Sequence, residues 1–236
     1  MVSLDRAPAS YDFKVAREAT TMRHRVTEAI RQAIAVGRYE AGDRMPERDL
    51  CELTGVSRTL VREALRQLES EGLVQVIPHK GPIVVRMTEA QARANYEVRE
   101  VLEALAAKRF AENASDADMA ALEAALQHVR NAYENGDVLA RLEAKNEFYD
   151  CLVRGGKNEA IGLALHMINA RTMLLRGHTL SMPNRWKESL VELTAMLDAL
   201  RRRDPEDAHR LATAHVRKAA AAAVESFSDA RPAAAG

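Results

Sequence analysis

Between Pro46 and Glu69 the chain sets hydrogen-bond donors at short intervals: the guanidinium groups of Arg48, Arg58, Arg62 and Arg66, and the hydroxyls of Ser57 and Thr59. Leu60, Val61, Ala64, Leu65 and Leu68 recur among them at the three- and four-residue steps of an apolar helix stripe. With that stripe turned inward, Arg58, Thr59, Arg62 and Arg66 fall on or near the opposite face. Guanidinium groups and hydroxyls on one exposed helix face are suited to phosphate contact. At the start of a helix laid in a major groove they also suit base-edge readout. Gly55 separates this helix from a shorter one before it, and Ser57 stands at the N-cap, where its hydroxyl is expected to accept a first-turn N–H. The pattern predicts a helix-turn-helix that reads double-stranded DNA.

The elements around it fit that role. Val15 to Val36 reads as a first helix with Met22, Val26, Ala29, Ile30, Ala33 and Ile34 on one side, ended by Gly37. Gly42 and Pro46 mark a connecting loop, and Glu71-Gly72 closes the second helix of the motif. Leu73–Ile77 and Ile83–Arg86 are β-rich runs around Pro78-His79-Lys80-Gly81-Pro82, the signature of a hairpin. A hairpin after a helix-turn-helix is a wing, and His79, Lys80 and Gly81 at its tip are expected to meet the sugar-phosphate backbone or the minor groove. This gives a winged helix over residues 15–87, preceded by a flexible arm over 1–14.

From Thr88 onward no strand pattern recurs. Helices are expected at about 88–112, 116–134, 137–154, 158–177, 185–203 and 205–228. Their breaks carry Asn113 and Ser115, Asn135-Gly136, Gly155-Gly156, Pro183-Asn184 and Asp204-Pro205. Six helices with short connections predict an antiparallel all-helical bundle over 88–228, with a flexible tail at 229–236. The expected fold is therefore mainly α, an N-terminal winged helix-turn-helix plus a C-terminal helical bundle.

The 236 residues carry 34 Lys and Arg against 34 Asp and Glu. Residues 1–88 hold 14 basic against 12 acidic side chains and residues 89–236 hold 20 against 22, so attraction to a polyanion has to come from local placement. Cys51 and Cys151 match no metal spacing and fit a reducing cytoplasm. No apolar run approaches the ~18 residues of a membrane span, and no signal-peptide core opens the chain. The bundle offers no nucleophile–base pair, phosphate loop or metal cluster. The expectation is a cytoplasmic protein that is not an enzyme and has neither cofactor nor membrane partner.

Gly37…Gly42…Pro46-Glu47-Arg48-Asp49-Leu50, then Gly55-Val56-Ser57-Arg58-Thr59-Leu60-Val61-Arg62-Glu63-Ala64-Leu65, then Glu71-Gly72-Leu73-Val74 and Gly81 resemble the DNA-binding domain of GntR-type bacterial transcription regulators. The resemblance implies operator contact by Arg48, Ser57, Arg58, Thr59, Arg62 and the wing tip. The second half resembles the ligand-sensing helical domain called FCD. The resembling stretches are Tyr96–Ala107, Asn146–Leu152 with Asn158, Arg185 with Glu192, Asp204, and Ala214-His215-Val216. The two together imply a homodimer on a palindromic operator, most commonly a repressor, modulated by a small organic acid.

One departure stands out. Many FCD domains hold a divalent metal with an Asp and a His at i and i+4 and one His from each of the last two helices. Here Lys145 falls at the Asp position, Tyr149 at the first His and Leu193 at the second; only His215 remains. No metal is expected. The resemblance gives Arg99 an effector role, and Lys145, Tyr149 and His215 can converge with it as donors around a carboxylate. The alternatives are ordinary ones. Arg99 can pair with Glu103 at i+4, Tyr149 and His215 can be core polar groups, and Lys145 can reach water along its own stem. Arg176 and Arg185 flank the 178–184 segment, read as a solvated loop. His166 is a further pocket candidate, and the bundle can also be read as a dimerisation module that senses nothing.

Overall fold

A computed structural model describes residues 17–182 and 184–229. The expected arm over 1–14, the first two residues of the helix expected from Val15, and all but Asp229 of the expected tail lie outside the described residues. The elements run α1 (Arg17–Ala35), α2 (Glu47–Thr54), α3 (Arg58–Ser70), β1 (Val74–Ile77), β2 (Gly81–Val84), α4 (Glu89–Asn113), α5 (Asp116–Asn135), α6 (Val138–Gly155), α7 (Glu159–Ser181), α8 (Arg185–Arg201) and α9 (Pro205–Asp229).

The apolar stripes close the first half. Val26, Ile30 and Ile34 of α1 share a core with Met45, Leu50, Val61, Ala64, Leu65, Leu68 and Leu73. Leu60 differs from expectation: it is only half-buried, at the edge of the stripe. Gly55 takes φ 69, a left-handed turn that L side chains resist, and its N–H bonds Cys51 O at 2.8 Å to end α2. The hairpin pairs Val74 with Val84 and Ile77 with Gly81, antiparallel. The segment before α2 lies along its outer edge, with Met45 N–H donating to Pro82 O and Gly42 N–H to Val84 O. The wing is thereby tied to the start of α2 as well as to the end of α3.

The second half is a bundle in which α4 runs along α9, α5 along α6, and α8 along α9. Ala104, Ala107 and Ala111 on α4, with Ala208, Ala212, Ala219 and Ala223 on α9, are buried. Small side chains let the two long helices approach closely. Thr88 and Ser115 form capping boxes with Gln91 and Asp118, and Asp137 caps α6. α7 is longer than expected and continues through Ser181, so the segment read as a loop from 178 is largely helix. Its composition (Thr179, Leu180, Ser181) carries no helix breaker before Pro183, and Thr179 is buried. Arg176, next to the expected end of this helix, thus lies more than a turn inside it.

α6 ends against α4, where a Cβ added at Gly155 would run into the Phe110 ring. Gly155→Ala therefore sets a helix-propensity gain of about 1 kcal/mol against overpacking of about 1–3 kcal/mol. A net loss of stability is expected in urea unfolding. A gain would mean that Phe110 turns aside without cost.

Candidate nucleic-acid interface and buried polar cluster

The helix-turn-helix presents its donors outward. Arg48, Ser57, Arg58, Thr59, Arg62 and Arg66 are all exposed, as are His79 and Lys80, while Gly81 is half-buried. Ser57 occupies the N-cap position of α3 in extended conformation, but its side chain makes no capping bond. That corrects the expected cap and leaves the hydroxyl outward. Arg62 donates to Glu47 Oε1 across the turn at 2.7 Å, and Arg48 lies 3.4 Å from Asp49 and 3.8 Å from Glu52. These pairs are exposed and individually weak, so a phosphate can compete for either arginine.

Arg44, which the sequence pattern did not single out, braces the wing. Its Nε and Nη2 both donate to Lys80 O, at 2.9 and 2.6 Å. His79 sits at φ 63 in the tip turn, after Pro78, with Lys80 N–H donating to Ile77 O. A turn with Pro second and a positive φ third projects the His79 and Lys80 side chains from a fixed base.

In the bundle, Arg99, Lys145, Tyr149 and His215 are all buried, and the structure brings them into one cluster. Arg99 pairs with Glu103 one turn on, and its guanidinium lies over Tyr96 and Tyr149, 5.3 and 5.8 Å from the ring centroids. The Tyr149 hydroxyl is buried beside Glu103 without closing a full hydrogen bond to it. His215 Nδ1 lies 2.5 Å from Glu192 Oε2, and Arg185 grips the same carboxylate at 3.1 and 2.9 Å.

Burial first, and then Lys145, push the His215 imidazole down to about 4 against the pull of Glu192. The ring is neutral at pH 7, and a neutral ring bonded to a carboxylate carries its proton on Nδ1. Burial would raise Glu192, but the bonds from His215 and Arg185 outweigh it and hold the carboxylate at about 2. Lys145 reaches no water, in contrast to the stem-to-solvent alternative; its Nζ donates to Ser189 Oγ at 3.2 Å. Burial, then Arg176, Arg99 and Arg185, hold its ammonium well below the ordinary lysine range.

Arg176 and Arg185 are corrections to the solvated-loop reading, since both are buried. The signal for Arg185 was its seven-residue spacing to Glu192, two turns along one helix face. Arg176 had none, because it lies in an apolar helix whose end was misplaced. Beside the cluster, α6 and α7 enclose a groove of about 940 Å³ that Tyr149 and Arg176 reach from the cluster side. Asn146, Asp150, His166 and Asn169 also line it, with Glu28 and Arg31 of α1 at its edge.

The metal found in many FCD domains does not fit here. Lys145 brings a cation to one position, buried Leu193 brings no donor to another, and the His215 Nδ1 is already taken up by Glu192. Among the described residues no group of three or more His, Cys, Asp or Glu side chains is placed to hold an ion.

A winged helix with outward donors, carried on a helical bundle, is the architecture of a transcriptional regulator. Residues 22–84 match the family model for bacterial regulatory proteins of the gntR family, and residues 94–218 match the FCD domain. The chain belongs to the GntR family, and its second half is an FCD domain. It is 26% identical over 187 residues to the uncharacterized HTH-type transcriptional regulator YdhC of Bacillus subtilis, covering 79% of this chain and 84% of that one. It is 27% identical over 198 residues to a protein of Paenarthrobacter nicotinovorans named a probable D-xylose utilization operon transcriptional repressor, covering 84% and 86%. The solved structure of E. coli McbR/YncC superposes with a TM-score of 0.77 at 21% identity over 87% of this chain and 98% of that one, which shows a shared fold. No helix among the described residues is long and apolar enough to cross a membrane.

The buried ammonium gives a stability signature. Lys145 titrates below 10.5 when folded and near 10.5 when unfolded. Between those two values the unfolded chain holds the extra proton, so stability rises with pH through that window and levels off above 10.5. Lys145→Met should raise stability at pH 7, because the apolar side chain removes the cost of desolvating or deprotonating the buried amine. The variant should also lose the alkaline rise in melts recorded from pH 7 to 10. A less stable variant that keeps the rise would show that Lys145 is not the titrating group.

Proposed function

We propose that this GntR regulator binds a palindromic operator as a homodimer, through its winged helices, and that a small organic acid in the helical domain modulates that binding. Residues 15–87 form the DNA-binding unit and 88–228 the effector-binding and dimerisation unit. Arg58 and Arg62 read base edges, most favourably guanines. Arg48, Ser57, Thr59 and the His79-Lys80-Gly81 tip fix register on phosphates. The outward, donor-rich face of α3 beside a braced wing supports this reading.

Dimerisation is supported by Val98, Val101 and Leu105, an exposed apolar stripe on one face of α4. A two-fold dimer matches a palindromic site. The effector reading rests on one observation above all, the cluster's excess of buried cations. Among the described residues, Arg99, Lys145, Arg176 and Arg185 face only Glu103 and Glu192 as buried or nearly buried carboxylates. A bound carboxylate supplies the missing negative charge, with Tyr149 and Arg176 at the groove and Arg99, Lys145 and His215 behind them. Repression relieved by the acid is the mode proposed, in keeping with the name of the Paenarthrobacter relative. No role as an enzyme is proposed.

Arg58→Ala should weaken binding to a site selected from a random-sequence DNA pool by about 1–3 kcal/mol and relax its sequence preference. Lys80→Ala should weaken all sequences alike and lower the salt slope by about one. Fluorescence anisotropy at several salt concentrations reads both, and an Arg58→Ala protein with unchanged affinity and preference sinks the readout assignment. A melting screen of organic acids tests the other half. Acid-specific stabilisation supports a sensor, whereas a silent screen leaves the bundle a dimerisation module.

A further inference from the structure

Lys145 is the only buried lysine among the described residues; Lys80, Lys157, Lys187 and Lys218 are exposed and Lys108 is half-buried. Its Nζ donates to Ser189 Oγ at 3.2 Å. Arg176, Arg99, Arg185, Glu103 and His215 are the charged or titratable groups that face it from the helices packed around α6. Burial and the three guanidinium groups favour the free amine over the ammonium, and a free amine carries a nucleophilic lone pair.

The groups around that lone pair are donors in want of an acceptor. Arg99 Nη2, Arg176 Nη2 and the Tyr149 hydroxyl are all buried without a hydrogen-bond partner among the described residues. Guanidinium nitrogens can only donate. With the amine uncharged, Arg99, Arg176 and Arg185 face Glu103 and Glu192, one carboxylate too few among the described residues. A negative group formed on Lys145 itself meets the bare donors and matches that charge. Access favours a neutral reagent. Leu142, Val153, Leu163, Leu165 and Met173 make the wall of the α6–α7 groove mainly apolar, and Tyr149 and Arg176 join it to the cluster. A small neutral molecule crosses such a wall without the desolvation cost that holds back an ion.

We propose that Lys145 is a carbamylation site, at which its amine adds carbon dioxide and the resulting carbamate is held by Arg99, Arg176 and Tyr149. The nitrogen lone pair forms a bond to the carbon, one C=O electron pair moves onto oxygen, and the nitrogen gives up a proton to water. Nothing is oxidised or reduced. The carbamate oxygens accept from the guanidinium groups in charge-assisted bonds, while the remaining N–H can still donate to Ser189 Oγ. Because Arg99, Lys145 and Arg176 come from α4, α6 and α7, the modification ties three helices together. Carbamylation needs no effector, and an acid bound to the same donors would exclude it.

The test compares full-length protein in bicarbonate buffer with protein in a bicarbonate-free chloride buffer of equal pH and ionic strength. Triethyloxonium ethylates a carbamate and so fixes it for peptide mapping. One unit of pKa is about a tenfold change in free amine, so Lys145 should be trapped about tenfold more than Lys80 or Lys187, or better. Carbon-13 NMR with labelled bicarbonate should show a carbamate carbon that is absent from Lys145→Met. Bicarbonate should raise the melting temperature of the wild type and leave Lys145→Met unmoved. Arg176→Met should cut trapping at Lys145 about tenfold, as the loss of a hydrogen bond to a charged group does. A cooperative melt checks that each variant folds. Absence of label at Lys145, with or without label on the N-terminal amine, overturns the assignment. So does an equal bicarbonate shift in wild type and Lys145→Met, which would mark an anion bound without a covalent bond. Undiminished trapping in Arg176→Met overturns the placement of the carbamate on that donor.

Discussion

More positive than negative charge is folded into the helical bundle, and much of the bundle is arranged around that constraint. An ion removed from water costs several kcal/mol even after relaxation. Arg99 and Arg185 offset that cost against Glu103 and Glu192. Lys145 and Arg176 meet no carboxylate at salt-bridge distance among the described residues. Every one of these groups sits on a different turn of α4, α6, α7 or α8, and His215 of α9 completes the ring around Glu192. The helices that bury the charges are thus also the ones that have to keep them apart. The lysine ammonium responds by giving up protons readily, and the histidine by staying neutral.

The winged helix lives under the opposite regime. Its outward cations stand in water, where pairing is worth little and screening is strong. Glu47 holds Arg62 only until a stronger anion arrives. What has to be rigid there is the backbone. A left-handed Gly55 sets the angle between α2 and α3, the stripe from Val61 to Leu68 locks α3 onto α1, and Arg44 pins the wing tip through the Lys80 carbonyl. Exposed donors on a fixed frame suit a target whose phosphates come at regular intervals, since the frame carries the register while the side chains adapt.

This difference in regime explains what could be read from the sequence. The winged helix was legible almost residue by residue, because its determinants are local: a glycine turn, a periodic stripe, and a β-run broken by Pro and Gly. In the bundle the helices and their capping boxes at Thr88 and Ser115 were legible for the same reason. The membership of the buried cluster was only half legible. Arg99 with Glu103 is a local pair, but the burial of Arg176, near the expected end of its helix, depends on the helices packed around α7. Lys145 looked able to reach water because nothing in sequence says that three neighbouring helices close over it. Ser57 was read correctly as a cap position and incorrectly as a capping side chain, since position follows from periodicity while the hydroxyl's direction does not.

How the two halves influence each other follows from what they share. α1 packs on α3 and also touches α7. Arg31 of α1 pairs with Glu71 at the end of α3, Gln32 donates to Glu143 of α6 at 3.0 Å, and Arg171 of α7 lies against Gly72. A movement of α7 relative to α6 therefore reaches both ends of the connection to α3 without passing through the exposed side chains of that helix. A ligand bordering α6, α7 and α1 at once can alter operator affinity only by as much as it prefers one arrangement of those helices over another. A groove lined from both halves can express such a preference directly. A ligand sealed wholly within the α4–α9 seam would first have to strain a tightly packed alanine interface.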